Sequence, residues 1–283
     1  MVPKPIFTFL MLLVVVLSSC ENKDAEENSD KQNSVEASSK DVSATENNVS
    51  IDTHSSSDKT ENELESTRNQ ELATKPVNSG YSAEFVPANM TVQEKKKRFK
   101  ILILPAVETV YLELDTQFKQ ISVAVKSEQK SEQQTKQIQT LMDDYKVSTD
   151  QALLIAIKPH PKSIALAQAA MESAWGTSRF FTEAKNIFGV WSFNKDEPRI
   201  AASKKRGNKT IWLKKYETIT DSIRDYYKVL AKGRAFTGFR KQKMLTNDPL
   251  IMVRHLDKYS EKGAEYGKEL SSMIKFNKFD QYD

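Results

Sequence analysis

The amino-acid sequence predicts a mainly α (α+β) fold: a helical domain with one small β-hairpin lobe, preceded by a helical pre-domain and a disordered tether. Three observations support this prediction. From Thr91 onward, apolar residues recur at helical spacing. Between Phe193 and Tyr216 the pattern changes to two short semi-apolar segments around KRGN, which is typical of a hairpin turn. Residues 21–79, in contrast, are polar and contain no aromatic side chain.

The first nineteen residues are expected to be a secretion signal. Lys4 is followed by an apolar run of twelve residues, 6–17, which is too short to span a bilayer comfortably. The next residues, LSSC, resemble a bacterial lipobox, which implies cleavage before Cys20 and lipid attachment to it; otherwise Cys20 is an incidental thiol in a discarded signal. By resemblance to lipoproteins of Gram-negative bacteria, Glu21 favours a periplasm-facing anchor in the outer membrane.

Charge divides the rest of the chain in two. Residues 21–79 contain 14 acidic and 6 basic side chains, and we expect residues 20–80 to be a disordered tether that gives the folded part reach. The whole chain has a net charge of +4, so residues 80–283 are strongly basic. This charge suits anionic wall polymers or lipid head groups, or it is an ordinary solvated surface. Nucleic acid is not an expected partner of an exported protein.

The predicted elements follow in order. Residues 91–146 read as two or three helices, with Pro105 at a start or kink, and residues 81–147 form the predicted pre-domain. A short helix is expected from Ser148 to Ile157. The central helix starts near Ser163 and ends near Trp175, with Gly176 after it.

Helical signals resume after the hairpin, whose turn places Gly207 at a positive φ. Thr218 and Asp221 resemble a capping box that opens an amphipathic helix ending at Gly233. Asp248 followed by Pro249 predicts another helix start. The last predicted helix covers about residues 264–274.

Glu172 is the most informative ionisable residue. It lies in the last turn of a helix whose neighbours are mostly alanine and other apolar residues. Burial and the helix dipole both disfavour its charged form, so its pKa should rise toward the range of a general acid. Trp175, three positions on, could then form a wall of a sugar-binding cleft. The alternative is a structural ion pair of Glu172 with Arg179 or Lys185.

A longer stretch carries a family resemblance. The segment IALAQAAMESAWGTSRFFTEAKNIFGVWSF, residues 164–193, resembles the catalytic signature of the glucosaminidase family of peptidoglycan hydrolases, glycoside hydrolase family 73. More narrowly, it resembles the Bax-like subgroup of that family. The likeness continues through KYETITDSIRDYYKVL (215–230) and the C-terminal segment, so it covers roughly residues 90–283.

The resemblance implies a lysozyme-like fold for residues 148–283, with a sugar-binding groove between the helical body and the hairpin lobe. It also implies that Glu172 is the catalytic acid, which protonates the bridging oxygen of a β-1,4 bond after N-acetylglucosamine. Peptidoglycan glycan strands are then the expected partner. No cofactor is expected, and His54, His160 and His255 show no metal-ligand spacing.

The second catalytic group is less defined, because residues 198–215 contain no acidic side chain where the family often places a glutamate. Asp196 and Glu197 are the nearest candidates. Alternatively, the 2-acetamido oxygen of the substrate attacks the anomeric carbon, helped by a tyrosine. Tyr259 and Tyr266 match the tyrosine-containing region of the family, and the sequence does not choose between them.

Further substrate-binding residues are predicted from the same likeness. Asn186 and Phe188 match the turn after the catalytic helix, and Trp191 could stack on a sugar ring. The expected function is that of an endo-β-N-acetylglucosaminidase acting on peptidoglycan. A lytic transglycosylase and a non-catalytic, lipid-tethered glycan-binding module are the alternatives, with an amidase acting on the stem peptide a more distant one. The oligomeric state is left open.

Overall fold

A computed structural model of the chain describes Val86 and residues 90–203 and 209–283. The predicted signal peptide, lipidated Cys20, tether and Gly207 turn lie outside these residues. Within them, helices dominate and a single two-stranded sheet is present, so the mainly α fold with a small hairpin is confirmed. None of the described helices is both long enough and apolar enough to cross a membrane.

Two helices occupy the first described part of the chain. Helix α1 (Val92–Lys126) and helix α2 (Glu132–Tyr145) both open with a capping box, formed by Thr91 and by Ser131. Pro105 lies inside α1, so the first of its two predicted roles, a helix start, is wrong, and the second, a kink, stays a prediction. The helix continues through Pro105 because four residues flanking it pack fully buried against the rest of the protein: Phe99, Ile103, Val107 and Val110.

The next helices carry the predicted signature. Helix α3 (Asp150–Ile157) is followed by helix α4 (Lys162–Glu172), which is buried on nearly every side. The N-terminus of α4 is held by Asp283, whose carboxylate accepts hydrogen bonds from the Ser163 amide (2.8 Å) and hydroxyl (2.6 Å). An anion at this end also suits the helix dipole. Helix α5 (Arg179–Ala184) follows after a tight turn.

The hairpin lobe is formed by strands β1 (Arg199–Ala201) and β2 (Trp212–Lys214), which pair antiparallel with Ile200 opposite Leu213. Trp191 adds an isolated bridge to Leu213 on the other side of β2. The base of the hairpin is tied to the helical body through Asp225, whose Oδ2 accepts from Lys214 Nζ at 2.8 Å and from the Tyr216 hydroxyl at 2.7 Å.

The remaining helices return to the body. Helix α6 (Ile219–Lys232) begins at the predicted Thr218 cap, where the Asp221 amide donates to the Thr218 hydroxyl at 3.0 Å. The Asp221 carboxylate accepts from the Thr218 hydroxyl at 2.7 Å, so the predicted capping box is confirmed only in its first half. After a 3₁₀ turn come helix α7 (Thr237–Leu245) and the short helix α8 (Pro249–Met252), which Asp248 caps as predicted. Helix α9 (Ala264–Asn277) extends three residues beyond its expected end.

The main core runs across the boundary predicted at residue 147. Buried residues of α1 share one apolar cluster with those of α4, α6 and α9. A smaller cluster joins the end of α1 to α2, α3 and the end of α6, and it includes Ile121, Ile138 and Leu153. Helix α4 is therefore enclosed by elements from both predicted domains, and this enclosure sets the environment of Glu172.

Candidate active site

Helix α4 ends at Glu172, three residues earlier than expected. The Trp175 amide donates to the Ala170 carbonyl (2.8 Å) and the Ala174 amide to the Met171 carbonyl (3.3 Å), which together form a Schellman motif. Such a motif usually uses glycine, yet here Ala174 and Trp175 adopt positive φ values of 52° and 60°. Each costs about 1–2 kcal/mol, and backbone strain of this kind concentrates at functional sites.

Glu172 is half-buried at this helix end. Its Oε1 accepts a hydrogen bond from the Tyr266 hydroxyl at 2.8 Å. Burial raises the pKa of Glu172 to about 7, although the Tyr266 hydrogen bond and the nearby Lys262 act in the opposite direction. The carboxyl group therefore exchanges its proton near neutral pH, which is the property that a general acid requires.

The charges around Glu172 are largely balanced by one another. Lys262 and Glu269 act on it with opposite signs, and they form an ion pair with each other, Nζ to Oε1, at 2.5 Å. Arg179, which the sequence offered as a structural partner of Glu172, pairs instead with Glu183 at 3.0 Å. Lys185, the other candidate, donates to the Glu217 carbonyl at 2.7 Å.

Two tyrosines were equally good candidates in the sequence, and they occupy different positions. Tyr266, at the start of α9, directly contacts Glu172. Tyr259 stacks on the Tyr266 ring, with centroids 5.3 Å apart and planes 9° apart. Both are buried, at 2% and 4% exposure, so Tyr259 supports the ring whose hydroxyl reaches the acid.

Two further residues of the site were missed by sequence reasoning. The Gln168 side chain donates to the Tyr266 hydroxyl oxygen at 3.0 Å, and it accepts from the Tyr226 hydroxyl at 2.6 Å. Gln168 precedes Glu172 by four residues, so it lies on the same helix face and was detectable from spacing alone. Tyr226 comes from α6, 58 residues away from Gln168 in the chain, and no local pattern connects it to Glu172.

Trp175 packs beside the start of helix α1. Its ring meets Phe99 edge-on at 5.3 Å, and Phe279 lies 6.2 Å away. The Nζ atom of Lys96 is 4.9 Å from the Trp175 ring centre. Trp175 thus fixes the strained turn against α1, and the sugar contact predicted for it stays a prediction.

Asn186 and Phe188 are both buried behind the site. The Asn186 amide nitrogen donates to the carbonyls of Val190 and Lys214, each at 2.9 Å, and its oxygen accepts from the Val190 amide at 3.0 Å. Phe188 stacks on Tyr226 with centroids 3.8 Å apart. These contacts give both residues a structural role that joins the loop after α5 to β2 and to α6. Their predicted sugar contacts stay predictions.

The hairpin side carries the other candidates. Trp191 is half-buried, its ring lies 6.0 Å from that of the exposed Phe193, and its indole nitrogen has no hydrogen-bond partner within the part of the chain described. Asp196 is exposed, whereas Glu197 is half-buried. Burial raises the pKa of Tyr216, and the charges of Asp225 and Glu197 add to the effect, so Glu197 lies within electrostatic reach of Tyr216.

The described residues contain no cluster of three or more His, Cys, Asp or Glu side chains placed to hold a metal ion. The ionisable side chains described at this site include Glu172, the tyrosines beside it and the carboxylates that precede the hairpin. A carboxylic acid whose pKa burial raises to about 7 can donate its proton to a leaving oxygen near neutral pH.

Comparison with known proteins assigns part of the chain to a family. Residues 151–279 match the glucosaminidase family model, described as mannosyl-glycoprotein endo-β-N-acetylglucosaminidase. Residues 151–279 thus form a glucosaminidase-family domain. The matched residues include helix α4, the hairpin and Tyr266, so the site described above lies wholly within the family domain.

Individual proteins are similar to parts of this chain. The protein bax of Escherichia coli (strain K12) is 28% identical over 123 residues, which cover 41% of this chain and 43% of the bax protein. The catalytic domain of the autolysin Auto from Listeria monocytogenes has a TM-score of 0.40 at 17% identity and covers 78% of this chain and 97% of its own. A peptidoglycan hydrolase mutant from Sphingomonas sp. A1 has a TM-score of 0.37 at 21% identity, and the match covers 51% of this chain and 97% of the mutant.

Proposed function

We propose that the protein is a peptidoglycan hydrolase, an endo-β-N-acetylglucosaminidase that cleaves the β-1,4 bond after N-acetylglucosamine with Glu172 as its general acid. The observation that carries this proposal is the half-buried Glu172 at the end of α4, whose pKa burial raises to about 7. The match of residues 151–279 to a family described as endo-β-N-acetylglucosaminidase supports the choice of bond. The basic charge of residues 80–283 suits an anionic wall polymer.

In the proposed reaction, the proton of Glu172 passes to the glycosidic oxygen while the bond from that oxygen to the anomeric carbon breaks. The ring then carries an oxocarbenium-like positive charge, and water attacks the anomeric carbon to complete hydrolysis. The carboxylate left on Glu172 is stabilised by the hydrogen bond from Tyr266 (2.8 Å). This donor therefore favours the state that Glu172 reaches after proton transfer.

The incoming water needs an acceptor for its proton, and Glu197 is our choice. It is half-buried and close enough to Tyr216 to raise the pKa of that hydroxyl, whereas Asp196 is exposed. A substrate acetamido group is the alternative nucleophile. Tyr266 contacts Glu172 and Tyr259 contacts only the Tyr266 ring, so Tyr266 would assist that attack through Glu172.

A second candidate function is favoured by one observation. Residues 198–215 contain no acidic side chain, so the hairpin itself offers no base for a water molecule. A lytic transglycosylase uses a single acid and forms an anhydro-sugar by internal attack. We rank this chemistry second, because Glu197 stands directly before the hairpin.

Product analysis tests the proposal and separates the two functions. Purified sacculi are digested with the parent protein and with Glu172→Gln, and the fragments are identified by mass spectrometry after borohydride reduction. We expect fragments with reducing N-acetylglucosamine ends from the parent and none from the variant. Anhydro-muramic ends would support the transglycosylase instead, and equal release by the variant would contradict both functions.

The proposed location rests on the N-terminal sequence. Residues 6–17 followed by LSSC fit a lipoprotein signal, so we propose a periplasm-facing lipid anchor at Cys20 in the outer membrane, with residues 21–79 as the tether to the wall. Metabolic labelling with a palmitate analogue is expected to mark the parent and to leave Cys20→Ser unmarked. Label retained by that variant would contradict the anchor.

A further inference from the structure

A buried chain of hydrogen bonds leads away from Glu172 into the core. Tyr226 on α6 donates its hydroxyl proton to the Gln168 oxygen at 2.6 Å, and the Gln168 nitrogen donates to the Tyr266 oxygen at 3.0 Å. Tyr266 in turn donates to Oε1 of Glu172 at 2.8 Å. Gln168 and Tyr226 are 0% and 1% exposed, so neither reaches a substrate, and the reaction described above does not use them.

The hydrogen bond that Tyr226 donates fixes the direction of the other hydrogen bonds in this series. An amide side chain has one acceptor end and one donor end, whereas a phenol has a single proton to give. Because Tyr226 occupies the oxygen end of Gln168, the nitrogen end faces Tyr266. The Tyr266 oxygen then already accepts a hydrogen bond, so its own proton is directed to Glu172.

The surrounding packing leaves these groups little freedom. The Tyr226 ring is stacked on Phe188 with planes 10° apart, and the Tyr266 ring is stacked on Tyr259 with planes 9° apart. Hydrogen bonds in such a water-poor environment polarise one another, and a member that loses its partner is costly to leave unpaired. The rings are thus held in place, and the remaining variable is the direction in which each hydroxyl and the amide point.

We propose that Tyr226 and Gln168 are positioning residues that act through Tyr266: they hold its hydroxyl proton on Oε1 of Glu172, so that Oε2 carries the proton given to the leaving sugar. This inference rests on the proposed function, in which Glu172 is the general acid. It assigns a role in catalysis to two core side chains that never contact the glycan.

Removal of the Tyr226 hydroxyl gives a specific expectation. Without it, Gln168 is free to turn its oxygen toward Tyr266 and to draw the Tyr266 proton away from Glu172. Glu172 then loses a donor that stabilises its carboxylate, so its pKa rises above that of the parent. The charged neighbours Lys262 and Glu269 are unchanged, as is the ring of Tyr259, so the shift is attributable to the chain of hydrogen bonds.

The test compares Tyr226→Phe with Tyr227→Phe in the full chain, using soluble peptidoglycan glycan fragments as substrate between pH 4.5 and 9. Tyr227→Phe is the matched control. It removes the buried Tyr227 hydroxyl, which lies 3.4 Å from the His160 carbonyl and outside the chain of hydrogen bonds. For Tyr226→Phe we expect the alkaline limb of the kcat–pH profile to shift to higher pH, by roughly half to one unit. We also expect kcat at pH 6 to fall about threefold to tenfold with KM unchanged. Tyr227→Phe is expected to keep the limb of the parent.

A double variant separates this role from simple packing. If Tyr226 acts through Tyr266, then Tyr226→Phe causes no further shift in a Tyr266→Phe background. Gln168→Met is the second test, which also serves if Tyr226→Phe does not fold: it removes the donor to the Tyr266 oxygen without adding a charge, so the Tyr266 proton is no longer held on Glu172 and the limb again moves to higher pH. An unchanged limb in either single variant, or a shift that persists in the Tyr266→Phe background, would overturn the proposal.

The outcome also distinguishes this inference from the function on which it rests. Glu172→Gln is assayed in the same series. If it remains as active as the parent, then the proposed acid fails and the positioning role fails with it. If it is inactive while Tyr226→Phe keeps the limb of the parent, only the positioning role is overturned.

Discussion

Glu172→Gln is expected to lower the rate of glycan cleavage by roughly 10²–10⁴-fold, which is the usual contribution of a general acid. Glutamine has nearly the same shape, and its oxygen can still accept the hydrogen bond that Tyr266 makes in the parent at 2.8 Å. The site therefore keeps its geometry and loses only the transferable proton. Reducing-end release from sacculi measures the rate, and Glu183→Gln, which alters an exposed carboxylate paired with Arg179, is the matched control.

The same variant is expected to be more stable than the parent above pH 7. The pKa of Glu172 is about 7 in the folded protein and near 4.5 in the unfolded chain, so the unfolded chain loses this proton first as the pH rises. The contribution of Glu172 to stability is therefore full below pH 4.5, declines from there to about pH 7, and stays low above it.

Glutamine carries no charge, so Glu172→Gln keeps the stability that the parent loses as Glu172 ionises. Its free energy of unfolding should exceed that of the parent by about 1–3 kcal/mol at pH 8, a range that allows for the partial access of the site to water. Urea unfolding at pH 4 and pH 8 measures it. A variant that is inactive but gains nothing at pH 8 would contradict the buried acid, whereas full activity would contradict its catalytic role.

Asn186→Ala is expected to destabilise the fold by about 2–4 kcal/mol, because it leaves buried backbone groups without partners. In the parent, the Asn186 side chain makes three hydrogen bonds of 2.9–3.0 Å to the backbone of Val190 and Lys214. Val190 belongs to the loop after α5 and Lys214 to β2, so the substitution also loosens the attachment of the hairpin. Cleavage activity should fall with it, since Glu197 directly precedes that hairpin.

Urea unfolding of Asn186→Ala and Asn194→Ala measures this prediction. Asn194 is exposed, and its oxygen accepts only the local amide of Asp196 at 3.0 Å among the described contacts, so its loss should cost about 0.5 kcal/mol or less. Equal stability of the two variants would show that the Asn186 hydrogen bonds do not hold the lobe to the body.

Local signals were sufficient for much of the fold. The Thr218 and Asp248 caps were predicted from two or three residues each, because capping depends on side chains next to the backbone groups that they satisfy. The helix start that Pro105 could have marked is absent for the opposite reason: the packing of α1 against distant helices outweighs the local cost of proline. The end of α4 was missed because its Schellman turn uses Ala174 rather than glycine.

The residues of the site also differ in whether local sequence could predict them. Glu172 could be found from its apolar neighbours and from the family resemblance, and the structure adds the burial that raises its pKa. Tyr226 could not be found, since its link to Glu172 passes through Gln168 and Tyr266, residues that only the fold brings together. Asn186 was recognised from its position in the motif. Its structural role could not be predicted, because it depends on a hydrogen bond to Lys214 of β2, 28 residues further along the chain.

The titration of Glu172 itself is the most direct test of the account. Carboxyl ¹³C chemical shifts of protein labelled at glutamate, compared with those of Glu172→Gln to assign the resonance, give the pKa of this one group in the folded protein. We predict a midpoint near pH 7, as expected for an acid that burial keeps protonated. A midpoint near 4.5 would mean that Glu172 is ionised at neutral pH, which would contradict its role as the proton donor.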